Sequence, residues 1–289
     1  MTLLLVLTAC GRIDYTPIVP PQICVWTPGE FTFDVEGPIE TLASPRSEGQ
    51  PQLSEDGLTL RFSSEGDIFE ASRRARELPF SAPTAVPGLA SARYEAGGYF
   101  TANALEAVVM VDHDATDDLD LWAYKRASTA EPFAVARPLD ELNTAAHEWD
   151  PWLMPDGLTL YGARVTSDSE SRLFVTTRSS VSDRFQPMTL FALAPQPYLG
   201  NPSLTRDGLT LVFNGVAPVV VEGLSHIYYS TRGSASDTFA TAELVPGLPA
   251  EVSIREPFVT LDGCALYFTE RRAASSWDIF VARYRRTVP

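Results

Sequence analysis

Basic residues are scarce in this chain of 289 residues, and the shortage limits its possible partners. Lysine and arginine total 22 against 37 aspartates and glutamates, which gives a formal net charge of −15 at pH 7. Nucleic-acid binding needs a basic surface that neutralises phosphates, so this composition argues against nucleic acid as a partner. The same negative charge favours solubility and repels an anionic lipid surface.

Catalytic motifs and long hydrophobic runs are missing as well. The chain has no G-x-S-x-G elbow, no phosphate-binding glycine loop, no H-E-x-x-H and no C-x-x-C. No run approaches the roughly 20 apolar residues of a membrane span. Apolar residues nevertheless make up 45% of the chain, enough for a core. We therefore expect a folded domain without a cofactor or metal centre, for which an enzymatic function is the less favoured interpretation.

A hairpin pattern recurs along the chain. Each copy has a proline, a short run of alternating apolar residues, an Asp-Gly pair and a second alternating run. Asp-Gly between two such runs predicts a β-hairpin, because a tight primed turn needs positive φ angles that both residues tolerate. Repetition at a fixed period indicates a repeat architecture. The copies are residues 51–62 (PQLSEDGLTLRF), 151–161 (PWLMPDGLTLY), 202–213 (PSLTRDGLTLVF) and 257–268 (PFVTLDGCALYF).

A third strand follows each hairpin and reveals a further, degenerate copy in which Asn103-Ala104 replaces the Asp-Gly pair. Each unit therefore comprises a hairpin and a third strand, and the first four units continue into a fourth extended run that opens with a phenylalanine. Counted from Ile68, Leu121, Leu173, Ile227 and Ile279, successive third strands are 53, 52, 54 and 52 residues apart. The phenylalanines are Phe80, Phe133, Phe185 and Phe239.

Four-stranded units of this length fit the blades of a β-propeller, a radial array that leaves short, protected edges. The residues PxLSxDGLTLxF followed by DIFxAxR resemble the WD-repeat-like units of TolB-type propellers, from about Phe31 to the C-terminus. The resemblance implies an all-β fold of four-stranded antiparallel blades. Five units predict five blades, whereas TolB-type propellers commonly have six.

The fifth unit ends at residue 289, directly after its third strand. Residues 31–43 (FTFDVEGPIETLA) have the pattern of the missing fourth strand. We therefore expect this N-terminal segment to pair with residues 278–284 and close the ring, which removes an exposed sheet edge.

The same topology brings two of the three cysteines, Cys24 and Cys264, to one face of the last blade. A Cys24–Cys264 disulfide would lock the closure and contribute at most about 5 kcal/mol in the chain-entropy model. Two unpaired buried thiols are the alternative.

The N-terminus carries a second resemblance. Residues 7–10 (LTAC) resemble a bacterial lipobox, which implies a signal peptide over residues 1–10 and lipidation of Cys10. A proline-rich spacer over residues 11–30 and a propeller over 31–289 would follow. This predicts a monomeric periplasmic or outer-membrane lipoprotein that meets the membrane through its lipid anchor alone. A frayed apolar terminus is the alternative, because the apolar stretch is short and no basic residue precedes it.

In four of the five units, a polar residue lies six positions before the turn aspartate (Asn103 in the second unit), immediately before the first strand. In radial blades these side chains converge on the axis, and buried polar groups need partners. They either bond to one another and to water, or bind a ligand at the channel mouth. The five positions are Gln50, Gly97, Asp150, Asn201 and Glu256, with Glu48, Glu95, His147, Glu148, Tyr198 and Arg255 predicted at the rim.

Three functions remain open. The TolB-type resemblance favours a non-enzymatic envelope propeller that binds a protein partner or small ligand at this mouth. A five-bladed glycoside hydrolase would use Asp150, Glu256 and one of the rim glutamates, with carboxyl groups about 5–5.5 Å or 6.5–9.5 Å apart. A structural protein without a defined ligand is the third. The acidic run at residues 112–120 lacks the glycine and final glutamate of an EF-hand loop, which favours a solvated loop over a cation site.

Overall fold

The computed structural model describes residues 23–89, 94–112, 119–167, 170–191, 193, 199–216, 223–272 and 276–287. No residue in these ranges is helical, so the described part of the chain contains no helix long and apolar enough to cross a membrane. The strands form five four-stranded antiparallel sheets, which are the blades of a five-bladed β-propeller. The predicted fold class is therefore confirmed.

Blades 1 to 4 each take four consecutive strands, A to D from the axis outwards. Blade 1 contains β2 (Glu48–Leu53), β3 (Thr59–Ser64), β4 (Asp67–Ser72) and β5 (Thr84–Ala85); blade 2 contains β6 (Tyr94–Phe100), β7 (Glu106–Asp112), β8 (Leu119–Lys125) and β9 (Ala134–Pro138). Blade 3 contains β10 (Glu148–Leu153), β11 (Thr159–Ser167), β12 (Glu170–Thr177) and β13 (Thr189–Phe191); blade 4 contains β14 (Leu199–Leu204), β15 (Thr210–Val216), β16 (Ser225–Thr231) and β17 (Glu243–Leu244).

Blade 5 combines both ends of the chain, as the sequence predicted. It contains β18 (Ile254–Val259), β19 (Ala265–Arg271), β20 (Trp277–Arg286) and, as its outer strand, β1 (Phe31–Pro38). The last pair is antiparallel and runs from Phe31 opposite Arg286 to Pro38 opposite Phe280. The five A strands surround the axis and contact one another there.

A disulfide joins Cys24 to Cys264, with the two Cα atoms 5.1 Å apart. Within the described part of the predicted spacer, residues 23–30, Cys24 and Trp26 are buried against the propeller. Trp26 is only 2% exposed, packs against Phe31 and donates Nε1–H to the carbonyl of Gly263 at 2.9 Å. Its ring also packs against Phe33 of the closing strand, with ring centroids 4.9 Å apart. Cys10 and the rest of the predicted leader and spacer lie outside the described residues.

The A–B turns are wider than the predicted two-residue primed turns. In blade 1 the strands close with Ser54 N–H donating to Thr59 O at 2.7 Å, and Gly57 N–H donates to Ser54 O at 2.8 Å. Gly57 has φ of +76°, whereas Asp56 does not enter the positive-φ region and instead accepts from Leu58 N–H at 2.9 Å. The aspartate therefore caps the turn and the glycine alone supplies the left-handed residue.

The degenerate turn of blade 2 keeps the same geometry. Ala104 N–H donates to Thr101 O at 2.8 Å, and Asn103 Oδ1 accepts from Leu105 N–H at 3.0 Å. Ala104 has φ of +55°, a position where a Cβ is unfavourable. This confirms that the second unit is a degenerate repeat.

The arginine that directly follows strand C in blades 1 to 4 makes the same two contacts in each blade, an arrangement here called a clamp. In blade 1, Arg73 Nε donates to Gly57 O at 2.8 Å, and its guanidinium lies 4.4 Å from the ring centroid of Phe80. The other clamps pair Arg126, Arg178 and Arg232 with the carbonyls of Ala104, Gly157 and Gly208 and the rings of Phe133, Phe185 and Phe239. Blade 5 has Tyr284 in this position, stacked on Phe31.

Candidate functional site

The five residues predicted to converge on the axis share one unusual backbone conformation. Each lies at a β-bulge of its A strand, where the pairing register with strand B shifts. Bulges re-aim side chains, and left-handed φ angles are uncommon for residues other than glycine. The φ values are +51° at Gln50, +58° at Gly97, +55° at Asp150, +49° at Asn201 and +57° at Glu256.

The bulges aim five backbone N–H groups at the preceding blade, and each finds an acceptor there. Together the bonds form a closed ring, here called the hub ring, that joins every blade to its neighbour. The bonds are Gln50 N–H to Glu256 Oε2 (3.0 Å), Gly97 N–H to Ser63 Oγ (2.9 Å), Asp150 N–H to Met110 Sδ (3.0 Å), Asn201 N–H to Asp150 Oδ2 (3.0 Å) and Glu256 N–H to Asn214 Oδ1 (3.4 Å).

Two of these acceptors are carboxylates, and glycines make room for them. A Cβ at Gly49 would lie 2.7 Å from Glu256 Oε2, and one at Gly200 would lie 2.8 Å from Asp150 Oδ2. Each carboxylate therefore reaches the next blade through a gap that a side chain would close. Gln50 contacts both of them, because its N–H bonds to Glu256 and its Nε2 donates to Asp150 Oδ1 at 3.3 Å.

Desolvation dominates the electrostatics of Asp150. Burial raises the pKa of its carboxyl to about 7, and the negative charge of Glu256 acts in the same direction. The hydrogen bonds from Asn201 N–H and Gln50 oppose the rise. Asp150 is consequently a mixture of protonated and ionised forms near neutral pH.

The space inside the hub ring is small. Its cavity has a volume of about 40 Å³ and is lined by the ring residues, the prolines that follow them and an aromatic layer beneath. In that layer Tyr99 lies 5.2 Å from Trp152 and 6.3 Å from Phe258 between ring centroids. The cavity has room for one or a few water molecules, whereas organic ligands occupy pockets of about 300–1,000 Å³.

The predicted rim glutamates do not line this cavity. Glu148 is fully buried, accepts from Thr144 N–H and Oγ1 at 2.9 and 2.7 Å, and pairs with Arg164 at 3.1 Å. Glu48 accepts from Ser44 Oγ at 2.5 Å, and Glu95 is also buried. Burial raises the pKa of both Glu48 and Glu148. Glu48 and Glu148 therefore cap their own D–A loops, whose polar groups need partners inside the fold.

Three aromatic side chains that the sequence did not single out occupy the rim with Arg255 and His147. The Arg255 guanidinium lies 3.9 Å from the ring centroid of Trp277 and pairs with Glu256 at 3.1 Å. The His147 ring stacks on Trp149 at 5.8 Å. Tyr94 is 52% exposed, and burial of its remaining surface raises its pKa. The sequence position of Trp149, between the predicted mouth residues His147 and Asp150, could have indicated its place at the rim.

The sequence also missed the strand B acceptors of the hub ring, which share one register position, opposite Ile68, Leu121 and Ile227 of strand C. They are Ser63, Met110 and Asn214, with Thr269 in blade 5 donating to Glu256 at 3.1 Å. Tyr198 and residues 113–118 of the acidic run lie outside the described part of the chain. Within that part, no group of three or more His, Cys, Asp or Glu is placed to hold a metal ion.

Comparisons with known proteins show similarity in structure alone. No protein-family model matches the chain, and no curated protein is similar in sequence. The catalytic domain of a Coprinopsis cinerea GH62 α-L-arabinofuranosidase has a TM-score of 0.62 at 10% identity, over 91% of this chain and 100% of that one. A GH43 endo-arabinanase from Bacillus licheniformis has a TM-score of 0.56 at 12% identity, over 83% and 94%.

A protein assigned as TolB from Agrobacterium tumefaciens has a TM-score of 0.54 at 12% identity, over 90% of this chain and 99% of that one. These neighbours include glycoside hydrolases as well as a TolB. Identities this low show the fold and do not transfer an activity. The chain is a β-propeller, and its function has to be argued from its own site.

Proposed function

We propose that the protein is a non-enzymatic β-propeller of the bacterial cell envelope that binds a protein partner at the mouth of its central channel. One observation carries the proposal: Asp150 and Glu256 each bond to a backbone N–H of the next blade, around a cavity of about 40 Å³. Carboxylates held in this way stabilise the ring.

The glycosidase alternative needs a different arrangement. Its two carboxyl groups must face a sugar ring, with a water or the anomeric carbon between them. Here Gln50 stands between Glu256 and Asp150 and bonds to both. The third candidate carboxylates, at Glu48 and Glu148, bond to Ser44 and Thr144 of their own loops. The geometry therefore favours binding over hydrolysis.

The rim has the composition of a protein-binding surface. Tryptophan, tyrosine and arginine are enriched among the residues that dominate binding energy at interfaces. Stacking of Arg255 on Trp277 and of His147 on Trp149 holds these side chains in place before a partner arrives. Such preorganisation lowers the entropic cost of binding.

A location in the cell envelope rests on two features. The Cys24–Cys264 disulfide fits an oxidising compartment, where such bonds persist. The LTAC sequence at residues 7–10 resembles a lipobox. Mass spectrometry of the protein from envelope fractions is expected to show a chain that begins at an acylated Cys10. A chain that retains residues 1–9 and an unmodified Cys10 would contradict the anchor.

Crosslinking in envelope fractions tests binding at the mouth. The wild-type protein and Val181→Ser, a change at an exposed residue of blade 3, are expected to recover the same crosslinked partner. Arg255→Ala combined with Trp277→Ala is expected to reduce recovery at least ten-fold. Equal recovery by all three proteins would reject the mouth as the binding site.

Hydrolysis assays test the alternative. Arabinan and aryl arabinofuranosides are the substrates to use, because they match the glycosidases of this fold. We expect the wild-type rate to equal that of Asp150→Asn. Turnover by the wild type that Asp150→Asn abolishes would establish the glycosidase instead.

A further inference from the structure

A second cavity lies at the opposite end of the channel, on the face that carries the A–B turns. It has a volume of about 910 Å³ and is lined by turns of blades 1, 4 and 5 and by residues 23–28. Phe258 lines both cavities and separates them. This lower cavity therefore has the size of an organic-ligand pocket, about 300–1,000 Å³, whereas the hub ring does not.

The lining of the lower cavity is rich in arginine although the chain as a whole is acidic, with a net charge of −15. Five arginines and three acidic residues line the cavity, so positive charge exceeds negative charge there. An anion is favoured there over a cation. The arginines are Arg73, Arg76, Arg206, Arg232 and Arg283, and the acidic residues are Glu55, Asp207 and Asp262.

Two of the arginines are held rigidly and still have donors to offer. Arg232 Nε bonds to Gly208 O at 2.8 Å, and its guanidinium stacks 4.4 Å from the ring centroid of Phe239. Arg73 is held in the same way by its own turn. Arg232 Nη2 also donates to Tyr161 Oη at 3.4 Å, and Arg73 also bonds to the side chain of Tyr267. A guanidinium has five N–H donors, so these bonds leave donors available on both arginines. Fixed guanidinium groups are suited to carboxylate and phosphate oxygens.

Apolar side chains form another part of the wall of the lower cavity, beside serine and threonine residues. Trp26, Phe258 and Tyr267 form buried parts of the wall. At its edge, Ile23 and Val25 are 69% and 67% exposed, which leaves large aliphatic groups in contact with solvent beside the arginines. Exposed apolar surface next to a concave site is typical of ligand-binding surfaces.

We propose that the lower cavity binds an anionic amphiphile, in which a carboxylate or phosphate headgroup is carried on an apolar chain. The headgroup bonds to the exposed Arg76 and Arg206 and to the clamped Arg73 and Arg232, and the chain packs against Ile23, Val25 and Trp26. This site is distinct from the rim and does not depend on the proposed function there.

Isothermal titration calorimetry of the intact protein tests the ligand class with four probes. Octyl phosphate and octanoate carry both features, inorganic phosphate carries charge alone, and octanol carries the chain alone. We expect both anionic amphiphiles to bind at least ten-fold more tightly than inorganic phosphate or octanol. The stronger of the two identifies the headgroup. Equal binding of octanol, equal binding of inorganic phosphate or no binding at all would overturn the proposal.

Arginine variants locate the binding. Arg76→Gln combined with Arg206→Gln is expected to weaken octyl phosphate at least ten-fold. Arg206 is an exposed arginine that forms an ion pair with Glu55. The matched control is Arg46→Gln, because Arg46 is likewise exposed, forms an ion pair with Glu65 and lies in a D–A loop at the other end of the channel. Equal affinities for the two variants would contradict the site.

Arg76 also bonds to the turn carbonyl of Asp56, so its substitution could weaken binding by disturbing the turn. A second double variant therefore tests the site without changing this bond. Ile23→Ser combined with Val25→Ser alters side chains that are already exposed. It is expected to weaken octyl phosphate while leaving the weak binding of inorganic phosphate unchanged. Unchanged octyl phosphate binding would overturn the proposed position of the apolar chain.

Discussion

The two ends of the channel use their charged residues in opposite ways. At the hub ring, Asp150 and Glu256 bond to backbone groups of the next blade and enclose about 40 Å³. At the lower cavity, five arginines surround about 910 Å³, and the two clamped ones retain donors. The ring lies where the five-fold repeat is most regular. The cavity lies where the incoming N-terminal segment, residues 23–28, forms part of the wall beside the turns of blades 1, 4 and 5.

The largest effect is expected from removing the Cys24–Cys264 disulfide. This change acts on the lower cavity and not on the hub ring, because Cys24 belongs to the wall of the lower cavity. Closing a loop of 240 residues is worth at most about 5 kcal/mol in the free energy of unfolding. We expect the Cys24→Ser/Cys264→Ser variant to lose a large part of this and to bind octyl phosphate more weakly. Urea unfolding with and without reductant measures the stability. A loss below about 1 kcal/mol would contradict the role of the disulfide in closure.

The next effect concerns the hub ring alone. Asp150→Ala removes the acceptor of Asn201 N–H and a partner of Gln50. Leaving buried donors without acceptors costs about 1–3 kcal/mol. We expect urea unfolding to show this loss, while calorimetry shows unchanged binding of octyl phosphate at the other end. If binding weakens in parallel with stability, the two ends are not independent.

A pH dependence follows from the raised pKa of Asp150. Because this pKa is about 7 in the folded protein and about 3.9 in an unfolded chain, the folded state holds the proton more tightly. Its contribution to stability is present below about pH 4 and is lost as the pH rises to about 7.

Glu48 and Glu148 have raised pKa values too, so the informative quantity is the difference between wild type and Asp150→Asn. We expect the stability of wild type to fall more steeply than that of the variant between about pH 4 and 7. Parallel curves would show that Asp150 ionises normally.

The smallest effect is expected in the A–B turn of blade 2, at a residue that lines neither cavity, and it provides a baseline for the other variants. Ala104 has φ of +55°, where the Cβ of alanine costs about 1 kcal/mol relative to glycine. Ala104→Gly is therefore expected to raise the free energy of unfolding by about 1 kcal/mol and to leave octyl phosphate binding unchanged. A loss of stability would show that the turn is held by contacts that glycine weakens.

Much of the fold could be predicted because each repeat carries its own local signals. The hairpins, the five blades, the pairing of β1 with β20 and the disulfide all follow from spacing and topology. The convergence of Gln50, Asp150, Asn201 and Glu256 on the axis followed from their shared position. The prediction of tight primed turns was wrong, because the A–B loop has four residues and its aspartate accepts a hydrogen bond from the loop backbone.

The partners of these residues could not be predicted, because they come from other blades. Nothing local marks Ser63, Met110 or Asn214 as acceptors for the next A strand. Glu148 and Thr144 belong to one loop, yet the direction of the glutamate depends on burial that only the tertiary fold sets. The lower cavity is less predictable still, since it depends on where residues 23–28 lie against the turns.

Amide hydrogen exchange reports whether the hub carboxylates accept hydrogen bonds from the next blade. In the wild type, the amides of Gln50 and Asn201 are expected to exchange slowly. In Asp150→Ala, Asn201 is expected to exchange at least ten-fold faster relative to Gln50, whose acceptor Glu256 is untouched. Fast exchange of the Asn201 amide in the wild type, or an unchanged ratio of the Asn201 and Gln50 exchange rates in the variant, would contradict the role of Asp150 as acceptor for Asn201 N–H.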